Sequence, residues 1–178
     1  MKLLQLGFLL LFVGLVSSRI TLPSYFGDGM VIQRNAVWCL TGATDHPNHR
    51  VKVKVDKASR TTATDSKGNF DLCFISHNAD KRKFEIKLEV QNRGCIVDSL
   101  TLTNVVYGDV YLCSGQSNIE MAMELIFNAT QEINSANFDD IRLFTEKKIA
   151  NLTTEQKYLQ HELANGWNPA IPSTLNSS

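Results

Sequence analysis

A regular alternation of apolar and polar residues constrains the fold more than any other feature of this chain. Across residues 84–90, Phe, Ile, Leu and Val are separated by Glu, Lys and Glu. Successive side chains of a strand point to opposite faces, so this period of two predicts strands with one buried and one solvated face. The pattern recurs at residues 51–55, 70–74 and 100–102. Residues 19–105 are therefore predicted to form an antiparallel β-sandwich or jelly-roll-like module.

The character of the sequence changes after these segments. Val105–Cys113 is nearly continuous in apolar residues, which is typical of a strand buried on both faces of a sheet. A turn is predicted over residues 114–118, and apolar residues at helical spacing predict a helix over residues 119–127. Residues 141–144 are a candidate second parallel strand. The predicted fold class is therefore mixed, since residues 106–178 begin an α/β domain but leave it incomplete.

The first 18 residues have the features of a secretory signal peptide. Met1 and Lys2 supply a short positive region, residues 3–16 are almost entirely apolar, and small residues precede Arg19. An apolar run of about 14 residues is shorter than the roughly 20 that span a bilayer, which argues against a membrane anchor. We expect residues 1–18 to be removed and the mature chain to be secreted or lysosomal, without a membrane span.

Four cysteines and three N-glycosylation sequons fit this compartment. Cysteines in an oxidising lumen form disulfides, but four cysteines allow three pairings, and the sequence does not choose among them. No Cys-x-x-Cys spacing occurs, and no metal site is predicted. The cysteines are Cys39, Cys73, Cys95 and Cys113, and the candidate glycosylation sites are Asn128, Asn151 and Asn176.

The balance of charge excludes one broad class of partner. The chain has 18 basic and 18 acidic side chains, so its formal net charge is +0 at pH 7. Proteins that bind nucleic acids broadly need clustered lysine and arginine to neutralise phosphates. No nucleic-acid partner is therefore expected.

Ser117 is the clearest candidate for a catalytic residue. It lies at the predicted turn between a buried strand and a helix, where α/β folds place ligands at the carboxyl edge of the sheet. A helix N-terminus after Ser117 would direct backbone N–H groups toward an oxyanion, and Gly115 would leave room for the turn and a substrate. In the alternative interpretation, Ser114, Ser117 and Asn118 are only turn and helix-capping residues.

Three segments resemble a known family of enzymes. Gly108–Met121 reads Gly-Asp-Val-Tyr-Leu-Cys-Ser-Gly-Gln-Ser-Asn-Ile-Glu-Met and resembles the nucleophile block of the sialate O-acetylesterases, within the SGNH-type carbohydrate esterases. Phe26–Gln33 resembles the start of the mature chain in that family, and Trp167–Ala170 matches it as well. One departure is Ile119, where the family usually has methionine.

The resemblance implies a carboxylic ester hydrolase that removes O-acetyl groups from sialic acids through an acetyl-serine intermediate, without a metal or organic cofactor. Ser117 would be the nucleophile of an SGNH-type α/β domain, and its backbone N–H would contribute to the oxyanion hole. Supporting roles would fall on its neighbours: Gly115, Gln116, Asn118 and Glu120.

The same resemblance exposes a missing element. The family completes its site with an Asp-x-x-His pair, and no aspartate of this chain is followed by histidine three positions later. The one histidine after Ser117 is His161, which we interpret as an ordinary surface or helix-end residue. A serine without a general base is a weak nucleophile, so we expect this 178-residue chain to be truncated and inactive on its own.

Three alternatives remain open at this stage. The chain could be a catalytically inactive secreted fragment that binds a glycan or a partner. It could be an acetylesterase of another polysaccharide, because Gly115–Asn118 does not encode the sugar. It could also be a structural secreted domain with a vestigial nucleophile block.

Overall fold

The computed structural model describes residues 20–119, 121–145 and 166–175. These residues are mostly β-structure, and the predicted signal peptide lies outside them. Among them, no helix is both long and apolar enough to cross a bilayer. The strands are β1 (Ile20–Thr21), β2 (Val31–Gln33), β3 (Val37–Thr44), β4 (Arg50–Val55), β5 (Ala58–Ala63), β6 (Asn69–Ile75), β7 (Phe84–Asn92), β8 (Cys95–Gly108), β9 (Phe138–Leu143) and β10 (Asn168–Ala170). The α-helices are α1 (Ala129–Ser135) and α2 (Pro172–Leu175).

β4 and β7 lie next to each other in a five-stranded sheet, whose strand order is β2-β8-β7-β4-β5. In both strands every second residue is buried, as the alternation predicts. Val53 and Leu88 lie opposite each other in this pair, and both are 0% exposed. Burying an aliphatic side chain of this size contributes about 1.5–3 kcal/mol, so these rows stabilise the sheet strongly.

A second sheet has three strands, in the order β1-β3-β6, and shares the same core. Phe70, Leu72 and Phe74 of β6 and Leu40 of β3 are buried. They belong to one hydrophobic cluster with the rows of β4 and β7. The prediction of β-structure in this part of the chain is thus confirmed, whereas its description as a sandwich or jelly roll stays a prediction.

One pairing departs from the predicted antiparallel arrangement. β2 runs parallel to β8, with Val31 opposite Val106 and Gln33 opposite Gly108, whereas the other pairs of this sheet are antiparallel. The five-stranded sheet is therefore mixed. Alternation predicts which face of a strand is buried, but it contains no information on which distant strand lies beside it.

The segment after β8 differs from its prediction. β8 ends at Gly108 rather than continuing to Cys113, and Tyr111 and Leu112 are 83% and 92% exposed. The neighbouring strand β2 ends at Gln33, opposite Gly108, so the ladder between these two strands stops there. The prediction of a strand buried on both faces is wrong for the residues beyond Gly108, because an apolar run does not itself supply the elements that bury it.

The predicted helix over residues 119–127 is also not formed within the described residues. Met123–Leu125 make one turn of 3-10 helix, and the first α-helix begins only at Ala129. Phe127 is 90% exposed. Short helices depend on the packing of an apolar face for their stability, and the described part of the chain does not bury this one.

The second predicted parallel strand is present but has a different partner. β9 pairs antiparallel with β10, with Leu143 opposite Asn168. The prediction of a parallel strand is therefore wrong, and an α/β unit is not assembled within the described residues. The division of the chain at residues 105 and 106 stays a prediction. A small separate cluster contains Ile133, Ala136 and Leu175.

A disulfide between Cys39 and Cys73 joins β3 to β6, where these two residues lie directly opposite each other. The sequence left three pairings of the four cysteines open. In the structure the thiols of Cys95 and Cys113 are unpaired and exposed. The crosslink therefore reinforces the three-stranded sheet.

Replacing Cys39 and Cys73 together with alanine should lower the free energy of unfolding by about 3–4 kcal/mol. The crosslink joins residues 34 positions apart and restricts the unfolded chain. Urea denaturation under non-reducing conditions measures the change. The matched control replaces Cys95 and Cys113 with alanine, which should change stability by no more than about 0.5 kcal/mol. Equal losses in the two double variants would contradict the disulfide assignment.

Candidate active site

Ser117 lies in an exposed turn beyond the end of β8. Residues 117–119 form the turn, and the backbone N–H of Ile119 donates to the carbonyl of Gln116 at 2.9 Å. Ser117 is exposed, and none of the described residues is a hydrogen-bond partner of its hydroxyl. The neighbours with predicted supporting roles are exposed as well: Gly115, Gln116 and Asn118.

Gly115 has a steric role in this turn. A Cβ atom at this position would lie 2.6 Å from Cγ1 of Ile119, which is too close for two carbon atoms. A side chain on residue 115 would therefore displace the side chain of Ile119, which closes the turn that carries Ser117. Glu120, the remaining residue with a predicted supporting role, lies outside the described residues.

The turn offers backbone donors, but no helix begins at Ser117. The first α-helix of the described residues begins at Ala129, so its dipole does not act at Ser117 as predicted. Ser117 and Asn118 lie in a turn, as the alternative interpretation also expects, but they do not cap an α-helix among the described residues. Backbone N–H groups of an exposed turn remain, and such groups can donate hydrogen bonds to an oxyanion.

No described histidine forms a hydrogen bond with Ser117. The rings of His46 and His49 lie 5.1 Å apart before β4. His77 packs edge-on against a tyrosine of β8, and His161 lies outside the described residues. The described part of the chain therefore presents a candidate nucleophile without an imidazole to activate it.

Two residues at the end of β2 hold the start of the segment that leads to the candidate nucleophile. Nε of Arg34 donates to Oδ1 of Asp109 at 2.8 Å, and the backbone N–H of Arg34 donates to the carbonyl of Gly108 at 2.8 Å. The side-chain oxygen of Gln33 accepts from the backbone N–H of Val110 at 2.8 Å. We term Gln33, Arg34, Asp109 and Val110 the exit clamp.

The ion pair of the exit clamp shifts the pKa of both partners. The hydrogen bond from Arg34 lowers the pKa of Asp109 below its usual value, and the same contact raises the pKa of Arg34. Asp109 therefore stays ionised at neutral pH. Both side chains are more than 40% exposed, at 44% and 43%, so the ion pair alone contributes little to stability. The clamp depends on several hydrogen bonds acting together.

Sequence reasoning did not identify the exit clamp. Arg34 and Asp109 are separated by 75 positions, and local patterns do not reveal contacts over such a distance. Gln33 and Asp109 do occur in two of the segments that carry the family resemblance. The presence of both residues in segments that resemble one family was the signal that could have indicated a contact between these segments.

A second contact joins β9 and β10 to the five-stranded sheet. Nη1 of Arg142 donates to the carbonyl oxygens of Gly29 at 2.7 Å and Asn104 at 2.6 Å, and Nη2 donates to Oδ1 of Asn104 at 3.1 Å. The indole N–H of Trp167 donates to the carbonyl of Tyr25 at 2.9 Å. Gly29 also approaches Trp167 closely, so the segments Phe26–Gln33 and Trp167–Ala170 meet here. We term this contact the Arg142 junction.

The Arg142 junction borders a cavity of about 260 Å³. Burial lowers the pKa of Arg142, as expected for a cation removed from water. Gly29 has a φ of 76°, and a Cβ atom there would lie 3.1 Å from the carbonyl oxygen of Trp167, so glycine suits this close approach. None of the predicted site residues lines the cavity, and it is not part of the Ser117 site.

One group of described residues has possible metal ligands close together. It contains Cys39, Asp71 and Cys73. Both sulfur atoms are joined in the disulfide, so neither is available as a thiolate ligand. The disulfide between Cys39 and Cys73 therefore explains why these sulfur atoms lie close together.

One of the three predicted glycosylation sites lies within the described residues. Asn128 is exposed and occupies the N-cap of α1, with a φ of 57°. An exposed residue at the start of a short helix is accessible to a glycosylating enzyme. Asn151 and Asn176 lie outside the described residues.

Comparison with a solved structure indicates the class of protein. A carbohydrate acetylesterase from Xanthomonas citri matches this chain with a TM-score of 0.74 and 27% sequence identity. The match covers 88% of this chain and 34% of that chain. The chain is therefore similar to a carbohydrate acetylesterase in both fold and sequence.

Curated sequences indicate a particular family within this class. Sialate O-acetylesterases from Homo sapiens and Mus musculus are 30% and 28% identical to this chain over 132 residues, and the Pongo abelii protein is 30% identical over 128 residues. These matches cover 71%, 71% and 68% of this chain. A comparison with family models finds no match. The resemblance to sialate O-acetylesterases is confirmed, and the chain spans about a quarter of the length of these relatives, 25% of the human protein.

Replacing Arg142 with methionine, which is similar in length but cannot donate a hydrogen bond, should lower the free energy of unfolding by about 1–3 kcal/mol. The carbonyl groups of Gly29 and Asn104 would lose a charged donor. Thermal denaturation followed by circular dichroism measures the change. Arg50→Met is the control, because Arg50 is an exposed arginine at the start of β4. A loss no larger than in this control would contradict the role of the Arg142 junction.

Proposed function

We propose that Ser117 is the nucleophile of an acetylesterase that removes O-acetyl groups from sialic acids. The observation that carries this proposal is the exposed turn at Gly115–Asn118, which presents an accessible serine hydroxyl in a chain similar to sialate O-acetylesterases. The similarity to a carbohydrate acetylesterase of known structure supports the broader reaction class. Acetylated sialic acid is the proposed substrate because the curated relatives are named for it.

The proposed reaction is a two-step acyl transfer. Oγ of Ser117 attacks the acetyl carbonyl carbon, a general base accepts the hydroxyl proton, and backbone N–H groups bind the oxyanion that forms. The bond to the sugar oxygen then breaks, and this oxygen takes the proton from the protonated base. Water attacks the acetyl-serine in the same way and releases acetate. The proposal requires no metal or organic cofactor.

The general base is the component that the described residues do not provide. The sequence contains no Asp-x-x-His pair, and no described histidine contacts Ser117 through a hydrogen bond. Removing a member of a serine protease triad costs roughly 10⁴- to 10⁶-fold in turnover. We therefore propose that this chain is inactive on its own and that Ser117 acts only in a chain that supplies an Asp-supported histidine.

Two other functions each have an observation in their favour. The solved relative is described only as a carbohydrate acetylesterase, so deacetylation of another polysaccharide is the nearest competing activity. The lack of an Asp-x-x-His pair favours an inactive secreted chain that binds a glycan or a partner. A panel of acetylated sialic acid and acetylated xylan separates the first from our proposal, and a labelling experiment at Ser117 separates the second.

The proposed location is the secretory pathway, with delivery outside the cell or to the lysosome. This proposal depends on the predicted signal peptide at residues 1–18 and on the three sequons. The disulfide between Cys39 and Cys73 supports it, because such crosslinks persist in oxidising compartments.

Acetate release and labelling by a fluorophosphonate probe should both be minimal for the 178-residue chain. A chain extended in frame through an Asp-x-x-His pair should hydrolyse acetylated sialic acid, and Ser117→Ala should reduce that turnover at least about 10⁴-fold. Sequencing the transcript beyond the codon for Ser178 determines whether such a frame exists.

The matched control for this experiment is Ser114→Ala, which changes another exposed serine of the same segment. It should retain most of the activity. Hydrolysis that persists in Ser117→Ala would refute the nucleophile assignment. Robust turnover by the 178-residue chain would instead show that the missing-base argument is wrong.

Expression in cells with a secretory pathway should yield a chain that begins at Arg19 and carries a glycan on Asn128. Edman sequencing and digestion with a peptide N-glycosidase test the two statements. Thr130→Ala destroys the sequon and should remove this glycan, whereas Thr130→Ser preserves the sequon and should retain it. An intact N-terminus at Met1 would count against the signal peptide.

A further inference from the structure

The turn that follows β2 is anchored to the core of the β-rich region. The buried hydroxyl of Ser76 donates to the carbonyl of Gln33 at 2.6 Å and accepts from the backbone N–H of Ala36 at 2.9 Å. The backbone N–H of Asn35 donates to the carbonyl of His77 at 3.1 Å. This turn is therefore fixed on two sides, by the parallel pairing of β2 with β8 and by the residues after β6.

The exit clamp lies where the sheet ends and the exposed segment begins. The ladder between β2 and β8 stops at Gly108, and Tyr111 and Leu112 are almost fully exposed. The clamp extends the ordered backbone past the sheet to Val110 through the Gln33 side chain. Each residue that is fixed shortens the free segment before Ser117 and reduces the number of positions its hydroxyl can occupy.

We infer that Gln33 and Arg34 are positioning residues for the candidate nucleophile. By holding Asp109 and Val110, they set the direction in which the chain leaves β8 and so limit where Ser117 lies. The effect on catalysis rests on the proposed function. The ordering of Asp109 and Val110 by Gln33 and Arg34 does not depend on it. A displacement of about 1 Å at a reacting group can cost about 100-fold in rate, so this constraint affects chemistry.

The inference gives the β-rich region a specific part in the proposed reaction. The sequence predicted only a β-sandwich or jelly-roll-like module for this region and assigned none of its residues to the site. The contacts from Ser76 through Gln33 to Val110 form a continuous path of hydrogen bonds from the core to the segment that carries Ser117. In this inference the β-rich region holds the start of the segment that contains Ser117 in a fixed position.

Two substitutions in the 178-residue chain break the exit clamp at different points. Arg34→Met removes the donor to Asp109 and keeps a side chain of similar length. Gln33→Met removes the oxygen that accepts the Val110 N–H. Circular dichroism establishes that each variant folds, and Arg34→Ala, which also lacks the donor and the charge, replaces Arg34→Met if the latter does not fold.

The matched control breaks a similar ion pair elsewhere on the surface. Arg82 donates two hydrogen bonds to the carboxylate of Asp56, both at 2.8 Å. Neither residue contacts the exit clamp through a described hydrogen bond. Arg82→Met thus reports the cost of losing a surface arginine without disturbing the clamp.

Two readouts follow the order of the segment after β8. Amide hydrogen exchange at Val110, measured by NMR, should become about five- to tenfold faster in Gln33→Met, because a hydrogen bond is lost. Chymotrypsin should cut after Tyr111 severalfold faster in both clamp variants relative to its cut after Phe127, another exposed aromatic residue. Arg82→Met should leave both quantities unchanged. Equal exchange and equal cleavage ratios in the clamp variants and this control would overturn the inference.

Exchanging the charges of Arg34 and Asp109 tests whether the ion pair itself orders the segment. Arg34→Asp and Asp109→Arg should each increase cleavage after Tyr111, and the double variant should restore the original ratio. Failure of the double variant to restore it, with the fold intact, would mean that the pair does not order the segment.

The catalytic part is measured in an extended chain that hydrolyses acetyl esters. Arg34→Met and Gln33→Met should lower kcat about tenfold or more with little change in KM, because they act on the placement of the hydroxyl. If hydrolysis does not depend on Ser117, the proposed function fails while the ordering by the clamp stands. If hydrolysis depends on Ser117 but both clamp variants behave like Arg82→Met, the clamp inference fails and the proposed function stands.

Discussion

Alternate side chains along β7 are buried at the centre of the five-stranded sheet and fix the register of its neighbours. Ile86, Leu88 and Val90 are all 0% exposed, and β7 lies between β4 and β8 in the sheet. A shift of one residue in register would turn this apolar row to solvent, so the register of β8 against β7 is strongly specified. β7 holds β8 as far as Val105, and the parallel strand β2 continues the pairing to Gly108, where β8 ends.

The position of Gly108, where β8 ends, limits where the segment that contains Ser117 can lie. The parallel strand β2 and the exit clamp continue the constraint to Val110, after which the backbone is exposed and no longer in a strand. Gly115 then leaves room for the side chain of Ile119 in the turn that contains Ser117. The described residues thus combine a well-packed pair of sheets with an exposed candidate nucleophile. The contacts that connect them come from residues far apart in the chain.

Those long-range contacts separate what the sequence predicts from what it does not. The buried rows of β4, β6 and β7 follow from alternation, because the period of two is a local property of each strand. Ser117 follows from a family resemblance in a short segment. The parallel partner of β8, the disulfide of Cys39 with Cys73 and the exit clamp depend on which strands lie side by side, and local patterns do not specify this. The predicted helix over residues 119–127 failed because its spacing describes an apolar face without supplying a surface to bury it.

The exposure of the residues around Ser117 sets a condition on the proposed catalysis. Tyr111, Leu112 and Ile119 are 83%, 92% and 59% exposed, so water surrounds the candidate nucleophile. Hydrogen-bond donors stabilise an oxyanion far more in a site from which water is excluded, because water weakens electrostatic interactions and competes for the donors. Hydrolysis at Ser117 would therefore require a surface that covers these apolar side chains as well as an imidazole that accepts the proton. A surface that carries the imidazole would meet both requirements at once.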